Sequence, residues 1–188
     1  NILNKTDANN NLLESYLSDE IFCNDRTSNS NTFPLTSRNN SYLYGFSTRN
    51  IFNKNPSFKC PNVSNDGFTL KTSGSASTVK ASDDGNNMLT YPIGLIMADE
   101  VAYAGGRNAL TNQNYYLYTG VSYWTMSPFD FRPSSTYALM FSVYDNGGDD
   151  EHSIVNVYGI RPIINLKSDV LYASGIGTEN DPYIITIK

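Results

Sequence analysis

Charge is what this sequence has least of. Only 16% of its 188 residues are Asp, Glu, Lys or Arg, against a usual share of roughly 25%. The balance is a net −5, which argues against a phosphate-gripping face and a nucleic-acid partner. There is a single tryptophan and a single histidine. No run of about 18 apolar residues occurs, so no helical membrane span is expected. No C-x-x-C pair supports a zinc or redox site. No G-x-S-x-G string offers a nucleophile elbow. The chain starts without Met and shows no basic-then-apolar leader, which reads as a mature or trimmed ectodomain.

Apolar residues make up 39%, with 13 Gly beside them. That is close to the ordinary globular share of roughly 45–50%, enough for a real core. The length fits one domain, or one with a small appendage. The polar surface has to come from Asn, Ser, Thr and Tyr, and Tyr occurs 14 times. The two cysteines, Cys23 and Cys60, suggest one disulfide in an oxidising compartment; the alternative is two unrelated buried thiols. Closing that loop stabilises by roughly 3–4 kcal/mol on the chain-entropy account. The sequons at Asn4, Asn39 and Asn62 carry little weight in so Asn- and Ser-rich a chain.

Apolar spacing predicts a helix over Asp7 to Ile21, with Leu12, Leu13, Tyr16, Leu17 and Ile21 on one face and Asn10 or Asn11 as cap. Asn24 to Ser57 reads as irregular structure pinned by aromatics and tied by the cysteine pair. Thr72 to Asn87 reads as a second, mobile loop. Leu89 to Ile96 is an interrupted strand. Asp99 to Ala104 is a short helix, capped by Asp99 and ended by Gly105-Gly106. Strands follow over Tyr115–Tyr118, Ser122–Met126 and Ala138–Val143. Asn146-Gly147-Gly148 signals a turn, with Ile154 to Tyr158 as the partner strand. Ile160 to Leu166 and Pro182 to Ile187 complete the set. Short helices with many short strands make an α+β domain. Residues 1–88 form its helix and disulfide-tied irregular part, and 89–188 its sheet core.

The strings Trp124-Thr-Met-Ser-Pro128, Ala138-x-x-Phe-x-Val143, Gly147 and Gly159-Ile-Arg-Pro-Ile-Ile-Asn-Leu166 come in a telling order. This half of the chain resembles C-type-lectin-like domains of the formylglycine-generating-enzyme and bacterial surface-protein type. Tyr91-Pro-Ile-Gly-Leu-Ile-Met-Ala-Asp-Glu-Val101, Phe22-Cys-Asn-Asp-Arg26 and Ser57-Phe-Lys-Cys-Pro61 are similar to surface proteins of low-GC Gram-positive bacteria. The resemblance implies a twisted antiparallel sheet with two short helices and long loops. It implies that Trp124 and Phe141 fill the core and that Arg161 is structural. It does not carry over the oxidase chemistry, because nothing after Cys60 is a thiol. Nor does it carry over calcium-dependent sugar binding, because no Glu-Pro-Asn, Gln-Pro-Asp or Trp-Asn-Asp string is present.

No catalytic set or cofactor is expected. His152 lies in Asp149-Asp-Glu-His-Ser153 and reads best as a solvated loop histidine. Asp145, Asp149, Asp150 and Glu151 offer oxygen ligands to Ca²⁺ but miss the EF-hand spacing, so a solvated acidic turn is preferred and no metal is assigned. The segments Phe129–Tyr137 and Asp145–Asn156 mix aromatics with short polar residues, a composition typical of paratopes. The expected ligand contacts are Asp130, Phe131, Arg132, Tyr137, Tyr144, Asn146, Asp149 and His152. The resulting expectation is a secreted or surface-displayed bacterial recognition domain, adhesin-like or receptor-like. Its partner is a protein or glycan on a host or neighbouring cell, and no part of it enters a membrane. The alternatives are the globular head of a pilin or other filament subunit, whose partners are identical copies, and a divergent enzyme on the same face.

Overall fold

The computed structural model describes residues 5–6, 10–27, 42–70, 87–132, 137–178 and 180–187. Two compact units emerge, one from the chain ends, Asn1–Glu20 with Ile164–Lys188, the other from Ile21–Ile163. In chain order a 3-10 turn over Leu13–Tyr16 leads into the short strands β1 (Leu17–Ser18) and β2 (Phe22–Cys23). Then come β3 (Tyr42–Leu43), helix α1 (Gly45–Ser47), a π-helical stretch over Thr48–Asn53, α2 (Val63–Asp66) and β4 (Gly67–Leu70). Next are β5 (Asn87–Leu89), β6 (Ile93–Leu95), α3 (Ala98–Ala104) and β7 (Arg107–Asn108). The long strands follow: β8 (Tyr123–Arg132), β9 (Tyr137–Val143), β10 (Gly148–Ser153), β11 (Pro162–Leu166), β12 (Val170–Ser174) and β13 (Ile184–Ile187). The pairing is mostly antiparallel, and the class is α+β as expected. No helix among the described residues is long and apolar enough to cross a membrane.

The larger unit is organised by a five-stranded sheet in the order β3-β8-β9-β10-β7. Side chains alternate across a strand, so register decides which residues share a face. Tyr123 pairs with Val143, which pairs with Asp149; Trp124 pairs with Ser142, which pairs with Asp150. Tyr123, Thr125, Ser127, Phe129, Phe141 and Val143 are all buried. Phe129 and Phe141 pack with Leu43, Phe46 and Ala98, while Tyr123 and Val143 pack with Ile96, Val101 and Leu117. This is the covered face, and helices close it. Trp124 of β8, Ser142 of β9, and Asp150 and His152 of β10 lie on the other face. β8 shifts register between Pro128 and Asp130, which is why Phe129 and Asp130 are both buried. A bulge of this kind re-aims consecutive side chains.

Polar groups lock the covered side. Arg49 donates through Nε and Nη2 to the two oxygens of Asp99 at 3.0 and 2.7 Å, and through Nη1 to Asp25. The Ser57 N–H adds a bond to Asp99 Oδ1 at 2.6 Å. Asp99 is therefore no helix cap. It sits in the first turn of α3 at 1% exposure, and the cap position belongs to Met97, whose N–H donates to Glu100 Oε2 at 2.8 Å. Gly105 ends α3 with φ 118°, as its sequence position implied. The disulfide Cys23–Cys60 is formed, Cα to Cα 5.7 Å. It joins β2 of the β2-β4-β5 sheet to the segment after the π-helical stretch.

Several expectations need correction. The helix over Asp7 to Ile21 is not there: the described part is one 3-10 turn followed by β1, which pairs Leu17 with Leu166. Strand pairing with a distant segment outweighs a helical period, and Leu12 and Ile21 of the supposed buried stripe stand 51% and 39% exposed. Tyr115 to Tyr118 is a turn, closed by Tyr118 N–H to the Tyr115 carbonyl at 3.1 Å. The strand after Asn146-Gly147 is the charged run Gly148–Ser153, not Ile154–Tyr158. A tight turn returns the chain at once into the ladder, so Val155 and Val157 are left 79% and 95% exposed. The loop over Thr72 to Asn87 lies outside the described residues except for Asn87, which opens β5. The smaller unit carries β1 on β11 and the two-stranded β12–β13 ribbon.

Candidate functional site

The open face of the five-stranded sheet gathers an aromatic cluster. Trp124 of β8, Ser142 and Tyr144 beyond it on the β9 side, and His152 of β10 share this face through the register given above. Tyr158 joins them from the segment after β10. It is placed by its neighbour Gly159, whose N–H donates to the Ser122 carbonyl at 2.9 Å and whose carbonyl accepts the Trp124 N–H at 3.0 Å. The Trp124 and Tyr158 rings lie 4.8 Å apart, centroid to centroid, at 42°. Tyr144 and His152 stack at 4.5 Å and 13°. Tyr158 meets both edge-on, at 6.1 Å from Tyr144 and 5.3 Å from His152. Four rings thus make one continuous half-buried platform.

Trp124 is half-buried rather than buried. The expectation that it fills the core fails by one position: strand alternation turns Tyr123 inward, at 1% exposure. The Tyr123 hydroxyl donates to the Leu117 carbonyl at 2.9 Å, and Arg161 lies over its ring at 4.6 Å while donating to the same carbonyl at 2.8 Å. Arg161 thus meets a backbone carbonyl and an aromatic face of the larger unit.

His152 is fixed by Ser142, whose Oγ lies 2.8 Å from Nδ1. Burial lowers the His152 pKa below its ordinary 6.5, with Asp150 opposing, so the ring is neutral at neutral pH. Ser142 is fully buried beneath this contact. Its use is to hold the imidazole parallel to Tyr144. Burial, with the Tyr144 hydroxyl beside it, pushes Tyr158 up to about 12. Its hydroxyl stays protonated and serves as donor and acceptor.

The sequence-predicted contacts do not stay together. Tyr144 and His152 come together on the platform. Asn146 is taken up by the β9–β10 turn: its Oδ1 accepts the Gly148 N–H at 2.8 Å, and Gly147 follows at φ 80°, where a Cβ would overlap the Asn112 carbonyl oxygen. Asp130 and Asp149 lie beneath the surface at 1% and 0% exposure. Phe131 is 39% exposed at the far end of β8. The side chains of Arg132 and Tyr137, and residues 133–136, lie outside the described residues. Asp149 faces inward, where Asn50 Nδ2 donates to its Oδ2 at 3.3 Å. Burial and the neighbouring Asp150, Asp99 and Glu151 raise its pKa well above 3.8. The acidic run cannot converge on one ion, since Asp149 and Asp150 point to opposite faces of β10. Among the described residues no group of three or more His, Cys, Asp or Glu is placed to hold a metal.

Trp124 and Tyr158 are the members that sequence reasoning missed. The signal was available for Trp124, since Tyr123-Trp124 on one strand must face opposite ways. For Tyr158 there was none, because its place depends on a bridge between Gly159 and Tyr123. Comparison with known proteins finds no matching family model, no matching curated protein and no matching solved structure.

Proposed function

We propose that the chain is a non-catalytic recognition domain of the C-type-lectin-like kind, secreted or displayed on a bacterial surface, binding a protein or glycan through the open sheet face. One observation carries the reading: four aromatic rings, from Trp124, Tyr144, His152 and Tyr158, packed against one another on a rigid sheet. Flat rings with polar edges suit the apolar faces of sugar rings and the side chains of a protein partner, at low ordering cost. The disulfide Cys23–Cys60 is compatible with an extracellular location. The test is a glycan and surface-protein array probed with wild type, with Trp124→Ala/Tyr158→Ala and with Phe131→Ala/Arg132→Ala/Tyr137→Ala. Loss of binding in the first variant, still folded by circular dichroism, supports the open face. Undiminished binding there contradicts it.

A second reading, a filament-subunit head, is favoured by the β12–β13 ribbon of the smaller unit. It exposes Leu171 (43%), Tyr172 (65%), Tyr183 (65%) and Ile184 (55%), an apolar surface suited to an identical copy or a neighbouring domain. Silence on every array together with concentration-dependent self-association favours this reading over recognition.

A further inference from the structure

A separate cavity of the larger unit, about 450 Å³, is lined by Phe58, Tyr103, Tyr116, Glu100, Ile96 and Leu117, among others. It does not involve the open face and does not rest on the reading above. Its aromatics are unusual in being exposed: Phe58 at 62%, Tyr103 at 54% and Tyr116 at 80%. Two of them, Phe58 and Tyr103, are also held in place. Phe58 and Tyr103 stack at 4.2 Å and 17°. The Tyr103 hydroxyl donates to the Pro56 carbonyl at 2.9 Å. The Ser57 N–H is tied to Asp99, and Cys60, two residues beyond Phe58, is tied to Cys23. Rings fixed on both sides lose little freedom when a ligand arrives.

Glu100 gives the cavity its sign. One carboxylate oxygen is anchored by the Met97 N–H at 2.8 Å. The nearby Arg161 is engaged with the Leu117 carbonyl and the Tyr123 ring. Aromatic faces attract cations, and a carboxylate adds to that attraction. A primary ammonium brings three donors that need acceptors, whereas the named lining is mostly hydrocarbon and ring. A quaternary ammonium has no such need and is weakly hydrated. We infer that this cavity binds a quaternary ammonium group of the choline type, its methyl groups against Phe58, Tyr103 and Tyr116 and its charge against Glu100.

The test is a two-dimensional NMR titration of the whole chain with choline, ethanolamine and the neutral isostere 3,3-dimethyl-1-butanol at constant ionic strength. Choline is expected to give saturable shifts in the amides of Phe58, Tyr103 and Tyr116. Both other probes should bind roughly tenfold more weakly, a difference of the size expected for cation–π and charge contacts. Glu100→Gln and Tyr116→Ala should each weaken choline about three- to tenfold. Tyr116 is so exposed that its replacement leaves folding intact. Equal binding of choline and its neutral isostere, tighter binding of ethanolamine, or no saturable shift would each overturn the proposal.

Discussion

The two faces of the five-stranded sheet are built from the same three strands and differ in what covers them. The covered face is closed by α1, α3 and the chain between them, and it holds Phe129, Phe141, Tyr123 and Val143 at 2% exposure or less. The open face carries rings of similar size, Trp124, Tyr144 and Tyr158, only partly buried and with no helix over them among the described residues. Aromatic content therefore does not by itself mark the buried face here; what covers the face does. Rings on the covered face contribute stability through full burial and dense packing. Rings on the open face retain area for another molecule.

The sharpest way to break that contrast is to truncate one ring from each side. Phe141→Ala, which removes edge-to-face contacts with Phe46 at 4.4 Å and Phe129 at 5.1 Å, should cost about 3–5 kcal/mol in urea denaturation. Trp124→Ala should cost about 1–2 kcal/mol, in keeping with half burial. Equal costs would erase the distinction.

Arg49→Ala probes what fastens the cover. It leaves Asp25 and Asp99 buried without their cation, at 6% and 2% side-chain exposure, and should cost about 3 kcal/mol. Arg49→Lys should recover only part, because an ammonium cannot pair both Asp99 oxygens in a planar fork. Full recovery by lysine in the same denaturation series would show that charge alone matters.

The smallest effect belongs to the open face. His152 is held below its ordinary 6.5 by burial. As pH falls through about 6.5 the unfolded chain takes up the proton before the folded one, so the folded state loses stability. Above 6.5 the contribution is fully present. His152→Gln should therefore flatten the fall in melting temperature between pH 7 and pH 5, compared with wild type. An unchanged slope would mean that His152 titrates alike in both states.

The contrast between faces also explains what was legible in the sequence. The covered side was readable where local signals agreed: Ala138–Val143 alternates, Gly105 ends α3, and Cys23 and Cys60 pair. The fold was unreadable where distant contacts decide. Leu17 leaves a helical pattern to pair with Leu166, and Asp99 leaves the cap to meet Arg49 fifty residues away. Of the candidate site, Tyr144 and His152 were found from composition. Trp124 was assigned inward by the family resemblance, although its strand neighbour Tyr123 had the stronger claim. Asp149 was taken for a solvated turn residue, since nothing in Asp149-Asp-Glu-His marks its first carboxyl as the one turned inward against Asn50.

Because the chain has one tryptophan and that residue lies on the open face, its fluorescence reports on the central claim directly. Acrylamide quenching of Trp124 is measured in the folded protein, alone and with the glycan or protein that binds on the array. The account predicts ready quenching of the free protein, protection on saturation with ligand, and no protection in Tyr158→Ala. An indole shielded from acrylamide before any ligand is added, or bound ligand that leaves quenching unchanged, would contradict it.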